Sequence, residues 1–250
     1  MQIHRGKQNK PPRIMLYGVE GIGKSSWAAA APNPIFLPTE DGIGQIDCAS
    51  VPLIKTLPVM LNALESIRRD PQGFKTVVID SLDWLERQVW KATCDRFGGG
   101  NIEKVDGGYQ KGFSHCLDEW NKVIAALTKL REEHGMIIIL IAHSKVEKFE
   151  DPESVTYDRY SPKLHKHATA LICEWCDCVL FASTEFRVDT ETLAFNKTRG
   201  IAKEGVGAPG GRRIIRAVSG PSAIAKNRFN LPPVMDLSWP VFIKEVAANI

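Results

Sequence analysis

Short apolar runs of strand length alternate along the chain with stretches whose apolar residues recur at helical spacing. The near-continuous apolar runs lie at 13–17, 33–38, 74–80 and 136–144. Helical spacing predicts helices at 24–31, 57–69 and 81–97, and from Leu117 to about His134. Continuous apolar runs are typical of strands buried on both faces, and strands that alternate with helices form mainly parallel sheets. The pattern therefore predicts an α/β fold in which helices cover both faces of a mainly parallel central sheet.

Longer polar stretches interrupt this pattern in the middle of the chain. Residues 98–112 and 145–160 are rich in glycine or charged residues and are predicted to be long loops. Ser161 and Pro162 follow the second stretch and predict the start of a helix that reaches about Trp175.

Antiparallel strands are predicted toward the C-terminus. "CDCVLFAS" and "LAFNKTRG" predict two strands joined by a polar turn near Asp189 and Thr190. "RRIIRAV" (212–218) predicts a further strand, and the residues after it are predicted to form an irregular tail.

The stretch "GVEGIGKSSW" (18–27) joins the first predicted strand to the first predicted helix. Its glycines can adopt positive φ and point backbone N–H groups at an anion. The spacing Gly18-x4-Gly23-Lys24-Ser25, after a strand and before a helix, is that of a phosphate-binding loop (P-loop). Lys24 would reach the β- and γ-phosphates, and the Ser25 hydroxyl would ligate Mg²⁺. The sequence therefore predicts ATP and Mg²⁺ as cofactors, held by Gly18, Val19, Glu20, Gly21, Ile22, Gly23, Lys24, Ser25 and Ser26.

Three further polar residues follow predicted strands, and ligands of parallel sheets bind at the carboxyl ends of strands. Asp80 closes "TVVID" and is predicted to hold Mg²⁺ together with its water shell. Glu40 ends the second strand, where a carboxylate can deprotonate a water, although the adjacent Asp41 competes for this role. His143 ends another central strand, where it can sense the γ-phosphate and signal to the segment that follows.

The order of "GVEGIGKSS", "IFLPTED", "FKTVVIDSL", "IIILIAHS" and "FNKTRG" resembles the core of RecA-type P-loop ATPases over roughly residues 13–200. The resemblance implies that Glu40 is the catalytic base and that Asp80 holds magnesium. It implies that His143, where RecA has glutamine, couples the nucleotide to a DNA-binding loop. Lys197 and Arg199 match a basic pair that, in this superfamily, reaches the nucleotide of a neighbouring subunit.

The chain is most similar, within that superfamily, to short phage-encoded RecA-like proteins of single-strand annealing and recombination. This similarity rests on the compact length of the chain and on the tail "AKNRFNLPP" (225–233). The resemblance implies a homo-oligomer, as a ring or filament, that binds single-stranded DNA and works beside a single-strand-binding protein. We expect a flexible arm at 1–12, a RecA-like ATPase domain at 13–220, and a C-terminal extension at 221–250 packed on the core or on a neighbouring subunit.

The two predicted loops contain residues suited to DNA, because lysine and arginine follow phosphates and tyrosine stacks on unpaired bases. Acidic residues in the same loops bring their net charge to zero or below, so this expectation depends largely on the resemblance. The basic residues beyond 211 could line a DNA channel, a subunit contact or a solvated edge. The candidate DNA contacts are Lys104, Tyr109, Lys111, Lys145, Lys148 and Arg159, and the later basic residues are Arg212, Arg213, Arg216, Lys226 and Arg228.

The overall composition indicates a globular protein but does not indicate whether it binds nucleic acid. The chain has 250 residues, a net charge of +3 and six cysteines, and no apolar run reaches the length of a membrane span. We expect one globular domain with reduced cysteines in the cytoplasm, in a phage-infected bacterial host. Two interpretations of the cysteine-rich segment stay open, zinc ligands or buried core residues, for His165, His167, Cys173, Cys176 and Cys178.

Two alternatives to a DNA-dependent ATPase also stay open at this point. One is a P-loop enzyme or regulator that acts without DNA, such as a small-molecule kinase, and the other is a nucleotide-dependent scaffold. A small-molecule kinase usually carries an arginine-dense lid over the phosphates, and the first 200 residues contain none.

Overall fold

The computed structural model describes residues 5–6, 10–151, 155–193, 197–204 and 211–249, with the backbone alone for 186–193 and 197–204. The strands are β1 (Arg13–Gly18), β2 (Pro34–Pro38), β3 (Ala49–Ser50), β4 (Thr76–Asp80), β5 (Ile137–Phe149), β6 (Tyr157–Pro162), β7 (Cys178–Leu193), β8 (Lys197–Glu204), β9 (Arg212–Arg216), β10 (Lys226–Asn227) and β11 (Val234–Asp236). The helices are α1 (Lys24–Ala29), α2 (Leu57–Arg69), α3 (Leu82–Phe97), α4 (Lys111–His134), α5 (Lys166–Trp175) and α6 (Trp239–Asn249), with a 3₁₀ helix at Ile102–Gly107.

The main path of the sheet runs in the order β11-β9-β7-β1-β5-β4-β2-β3. Strands β7, β1, β5, β4, β2 and β3 are parallel to their neighbours, whereas β9 pairs antiparallel with β7 and β11 pairs antiparallel with β9. The carboxyl ends of β1, β2 and β4 therefore meet at one edge of the sheet. His143, predicted to end its strand, lies within β5, but its pairing with Gly18 places it at this same edge. The predicted α/β class, with a mainly parallel sheet and C-terminal antiparallel strands, is confirmed.

Helices cover both faces of this sheet because successive strand residues point to opposite faces. Met15 and Tyr17 of β1 belong to one buried cluster, together with residues of α2, α3, α4 and α5. Ile14 and Leu16 of the same strand belong to a second cluster, with α1 and α6. Both clusters are large, so each face of the sheet buries apolar side chains beneath its own helices.

The segment 145–160, predicted as a loop, is instead most of a β-hairpin. β5 continues past the sheet to Phe149 and pairs antiparallel with β6 along its whole length. The apolar residues of "KVEKF" are three positions apart, so this segment has neither the continuous apolar run of the central strands nor the strict alternation of a half-buried strand. The predicted helix start at Ser161 and Pro162 is also wrong, because both residues belong to β6 and α5 begins at Lys166.

Two other predicted segments differ from the structure. Asp189 and Thr190, predicted as a turn, lie inside β7, which pairs with β8 from residue 186 onward. The predicted loop at 98–112 contains the 3₁₀ helix, and α4 begins at Lys111.

The tail predicted to be irregular contains β10, β11 and α6. Trp239 and Phe242 of α6 pack on Trp27 of α1, with ring centroids 4.9 and 5.3 Å apart. The C-terminal residues thereby cover the helix that follows the P-loop. Among the residues that the structure describes, no helix has both the length and the apolar composition needed to cross a bilayer.

Candidate nucleotide site

The P-loop leaves the end of β1 and enters α1 with backbone geometry that glycine permits. Gly21 and Gly23 have φ of 72° and 105°, and Gly23 is the N-cap of α1. A Cβ atom on Gly18 would collide with the carbonyl oxygen of Ala182, because β1 lies directly beside β7 at this point. The glycines of the motif are therefore required by backbone conformation and by the close approach of a neighbouring strand.

Lys24 is buried beneath the loop that it ends. Its Nζ atom donates hydrogen bonds to the carbonyl oxygens of Gly18, at 3.1 Å, and Val19, at 2.8 Å. Burial lowers the pKa of Lys24, while the carboxylates of Asp80, Asp83 and Glu40 act in the opposite direction. An ammonium group has three donors, so one remains for a further oxygen acceptor.

Ser25 and Asp80 form the pair predicted to hold magnesium. Ser25 Oγ donates to Asp80 Oδ2 at 2.5 Å, and Asp80 is 4% exposed. Burial raises the pKa of Asp80, and the hydrogen bond from Ser25 opposes that shift. A hydroxyl and a carboxylate are hard oxygen donors, and Mg²⁺ takes one or two protein carboxylates together with substrate phosphates and waters. The residues therefore fit Mg²⁺ bound jointly by protein and nucleotide.

Glu40 and Asp80 lie side by side because strands β2 and β4 end in register. Pro38 is paired with Asp80 in the ladder. Beyond it, Thr39 Oγ1 donates to the Ser81 carbonyl at 2.6 Å and accepts from the Ser81 N–H at 2.9 Å. These buried bonds fix the two strand ends that carry the acids.

His143 is held in place by Asp83, a residue that the sequence analysis did not single out. The Asp83 carboxylate accepts from the backbone N–H of His143, at 3.1 Å, and lies 3.0 Å from its Nδ1 atom. The hydrogen bond with Asp83 raises the pKa of His143. Burial acts to raise the pKa of Asp83, but the bonds from His143 outweigh it and hold that pKa below its ordinary value. In the sequence, Asp83 resembles an ordinary acid in the first turn of a helix, which needs no further role.

The other ring nitrogen of His143 faces Glu40. His143 Nε2 lies 3.9 Å from Glu40 Oε1. Burial raises the pKa of Glu40, with Asp80 and Asp83 acting in the same direction and His143 opposing them. Glu40 is thus a partly buried carboxylate whose proton affinity is above its ordinary level.

A cavity of about 310 Å³ brings these residues together. It is lined by Gly21, Gly23, Lys24, Ser25, Ser26, Glu40, Gly42, Ile43, Ile46, Asp80 and His143. Of the other predicted loop residues, Gly18 and Val19 contribute the carbonyls that hold Lys24, Glu20 is exposed and Ile22 is buried in the core. Asp41, the alternative base, is exposed and lines a neighbouring groove with Trp84 rather than this cavity.

Lys197 and Arg199 lie on β8, opposite Leu193 and Glu191 of β7. Their side chains lie outside the described part of the structure. The predicted contact with a neighbouring nucleotide therefore stays a prediction.

The candidate DNA contacts fall on two segments. Lys145, Lys148 and Arg159 are on the β5–β6 hairpin, which continues directly from His143. Two of these three cations already have partners: Lys145 Nζ donates to the Leu164 carbonyl at 2.7 Å, and Arg159 lies 3.2 Å from the Glu147 carboxylate.

The second segment, between α3 and α4, carries the other three candidates. Lys111 lies 3.5 Å from the Asp106 carboxylate, and Lys104 is exposed at the surface of the 3₁₀ helix. Tyr109 is 96% exposed, which is unusual for an aromatic side chain.

A second cavity, of about 620 Å³, joins the two segments. It is lined by Glu103, Tyr109, Gln110, Phe113, Lys145, His165 and Lys166. The rings of Phe113 and His165 stack with centroids 3.9 Å apart, and burial lowers the pKa of His165 to about 4. The cavity therefore presents uncharged aromatic rings beside two lysines.

The residues considered as zinc ligands do not form such a site. No group of three His, Cys, Asp or Glu side chains in the described residues is arranged to hold a metal ion. Cys176 and Cys178 are buried in the core, and burial raises the pKa of both thiols, which disfavours the thiolate that zinc needs.

A family model described as "AAA domain" matches residues 10–229. The SPbeta prophage-derived uncharacterized protein YorG of Bacillus subtilis (strain 168) is 22% identical over 178 residues, which are 68% of this chain and 50% of the relative. The chain thus spans about half the length of the curated relative that it matches. A crystal structure of the RadB recombinase overlaps 83% of this chain and 80% of its own, with a TM-score of 0.44 and 12% identity.

Proposed function

From the premise that the chain belongs to the AAA domain family, we propose that it is a Mg²⁺-dependent ATPase. In this proposal it binds single-stranded DNA and promotes annealing or recombination. The observation that carries the proposal is the convergence of Lys24, Ser25, Glu40, Asp80 and His143 on one cavity at the edge of the parallel sheet. A prophage-derived relative supports a protein of phage type.

Nucleotide binding would use groups that are already oriented. The backbone of the P-loop would cradle the phosphates, and the remaining donor of Lys24 would bind a phosphate oxygen. Ser25 and Asp80 would hold Mg²⁺, which when bound would offset charge on the transferring phosphoryl group.

Glu40 is the residue placed to act as general base. A base works best when its pKa approaches the working pH, and burial among other acids moves the pKa of Glu40 in that direction. His143 faces it and, when protonated, would stabilise the ionised form that accepts a proton. Asp83 would hold His143 in that orientation.

DNA binding would use the surface that begins two residues beyond His143. Tyr109 would stack on an unpaired base, with Lys145 and Lys166 near the phosphates. Because Lys145, Arg159 and Lys111 already lie near acids, we expect stacking to contribute more than charge. β5 connects this surface to the nucleotide site, so a movement of His143 would also move the hairpin.

Lys197 and Arg199 of one subunit would act at the nucleotide of a neighbour in a homo-oligomer.

The nucleotide half of the proposal is tested by replacing acids one at a time. Glu40→Gln should retain ATP affinity and reduce turnover about 10²- to 10⁴-fold, the usual contribution of a general base. Asp41→Asn is the matched control and should keep turnover near the wild-type rate. Lys24→Ala should lose nucleotide binding, and normal ATP affinity in that variant would remove the site assignment.

The DNA half is tested by the ATPase rate with and without a single-stranded oligonucleotide, on protein sized by light scattering. Tyr109→Phe keeps the ring and should keep oligonucleotide binding, whereas Tyr109→Ala should weaken it about tenfold or more, since a stacked base contributes about 1–3 kcal/mol. Equal rates with and without DNA, together with no oligonucleotide binding, would leave an ATPase or regulator that acts without DNA.

A further inference from the structure

We infer that Arg213 is a further nucleotide-binding residue of this chain, and that its guanidinium contacts the α-phosphate of the nucleotide. The inference rests on the proposed function, since it assigns a second cation to the same site. Arg213 stands on β9, outside the P-loop motif and about 190 residues further along the chain.

The sheet brings Arg213 to the P-loop through two steps of pairing. Gly18 at the end of β1 is paired with Ala182 of β7, and Thr184, two residues further along β7, is paired with Arg213 of β9. Arg213 therefore lies at the same edge of the sheet as the loop.

The guanidinium of Arg213 lies against the N-cap of α1. A methyl group placed on Gly23 would come within 3.2 Å of Arg213 Nη1 and 3.8 Å of Leu237 Cδ2. Leu237 in turn donates its N–H to the Arg213 carbonyl at 3.0 Å. Packing of α6 on Trp27 keeps this part of the tail against α1.

Arg213 differs in charge environment from the arginine beside it. Arg212 lies 2.6 Å from the Asp236 carboxylate and 3.5 Å from that of Glu185. Within the described part of the chain, the Arg213 guanidinium makes no ion pair or side-chain hydrogen bond. A guanidinium held next to a phosphate-binding loop, with no acid to neutralise it, is suited to bind an anion there.

The strand order indicates which phosphate this would be. Glu40 and Asp80 follow β2 and β4, which lie on one side of β1, and β9 lies on the other side of β1. The phosphate that is cleaved must face Glu40 and the magnesium ligands. A cation on the β9 side therefore faces the end of the triphosphate that is attached to the nucleoside. The phosphate at that end is the α-phosphate, which is charged in both ADP and ATP.

Titration calorimetry of ADP and ATP, with Mg²⁺, tests the inference on the full chain. Arg213→Ala should weaken both nucleotides by a similar factor, about tenfold, as expected for the loss of a charge-assisted hydrogen bond. Turnover at saturating ATP should stay near the wild-type value, so that KM rises and kcat does not fall. Arg213→Lys should restore part of the affinity, and Arg212→Ala, on the same strand, should leave it unchanged.

The melting temperature without nucleotide separates binding from folding, because Arg213 is exposed and its loss should shift melting little. Unchanged ADP affinity in Arg213→Ala would overturn the inference, and so would a loss of kcat without a rise in KM, which would place the residue at the cleaved phosphate. If the wild-type protein bound neither nucleotide, the proposed function would fail and the inference with it.

Discussion

Replacing Asp83 with asparagine tests the most unexpected contact of the candidate site. The substitution keeps the shape of the side chain and removes its charge. Asp83 is buried, and its carboxylate is bonded to both the backbone N–H and the Nδ1 atom of His143, at 3.1 and 3.0 Å.

The magnitude follows from the kind of hydrogen bond that is lost. Bonds to a charged acceptor contribute about 1.5–3 kcal/mol, compared with about 0.5–1.5 kcal/mol for neutral pairs. Removing the charge also relieves repulsion with Asp80 and Glu40, which offsets part of the loss. We therefore expect the free energy of unfolding to fall by about 1–2 kcal/mol, and the melting temperature by about 2–4 °C for each kcal/mol.

The effect should depend on pH with a definite sign. The pKa of Asp83 is below its ordinary value of 3.8, so its contribution is present above that value and lost as the pH falls through the folded pKa. The pKa of His143 is above its ordinary value of 6.5, so its contribution is full below that value and lost as the pH rises through the folded pKa. The difference between wild type and Asp83→Asn should be largest near about pH 5.5 and smaller near about pH 9.

Urea denaturation at both pH values measures this difference. A double-mutant cycle with His143→Gln isolates the coupling between the two residues. Additive effects of the two substitutions, or an equal loss at both pH values, would show that Asp83 does not hold His143 by charge.

Three further predictions concern groups outside the P-loop chemistry or at its edge. Asp177→Ala should lower the free energy of unfolding by about 3–5 kcal/mol in urea denaturation, because it leaves Arg13, now bonded at 2.7 and 3.0 Å, without its acceptor. Glu86 is buried, and burial raises its pKa from 4.5 to about 7, although it accepts the His165 N–H at 3.0 Å. The wild type should therefore lose stability as the pH rises from about 4.5 to about 7, and Glu86→Gln should lack this dependence in melting experiments. Gly23→Ala should lower the melting temperature and ATP affinity together, since φ of 105° is strained by about 1–3 kcal/mol for other residues.

Each of these has an outcome that would contradict it. Asp177→Asn keeps the volume of the side chain, and a stability close to that of the wild type in this variant would show that charge does not hold Arg13. A pH dependence that persists in Glu86→Gln would assign it to another group. An unchanged melting temperature in Gly23→Ala would mean that the loop relaxes without strain.

Features that depend on neighbouring residues in the chain were predictable. The glycine spacing of 18–25 specifies the P-loop, and the continuous apolar runs specify the buried strands. The positions of Glu40 and Asp80 followed, because the carboxyl ends of parallel strands must meet at one edge. His143 lies at the same edge because it is paired with Gly18, although β5 itself continues to Phe149. The sequence before α6 also carries a helix signal, since Ser238 and Pro240 suit an N-cap and a first turn, but the apolar pattern that follows is short.

Features that depend on which strand lies beside which were decided by the tertiary structure. Asp83 gains its role because α3 starts beside the end of β5, and Arg213 because β9 pairs with β7 next to β1. The hairpin beyond His143 forms because β6 returns along β5, and the largely polar sequence of this segment did not reveal that pairing. Local chemistry thus determined the phosphate loop and the strands around it. The pairing of distant segments decided that Asp83 and Arg213 lie beside the nucleotide site. The reason is that strand order, and not distance along the chain, sets which side chains meet across a sheet.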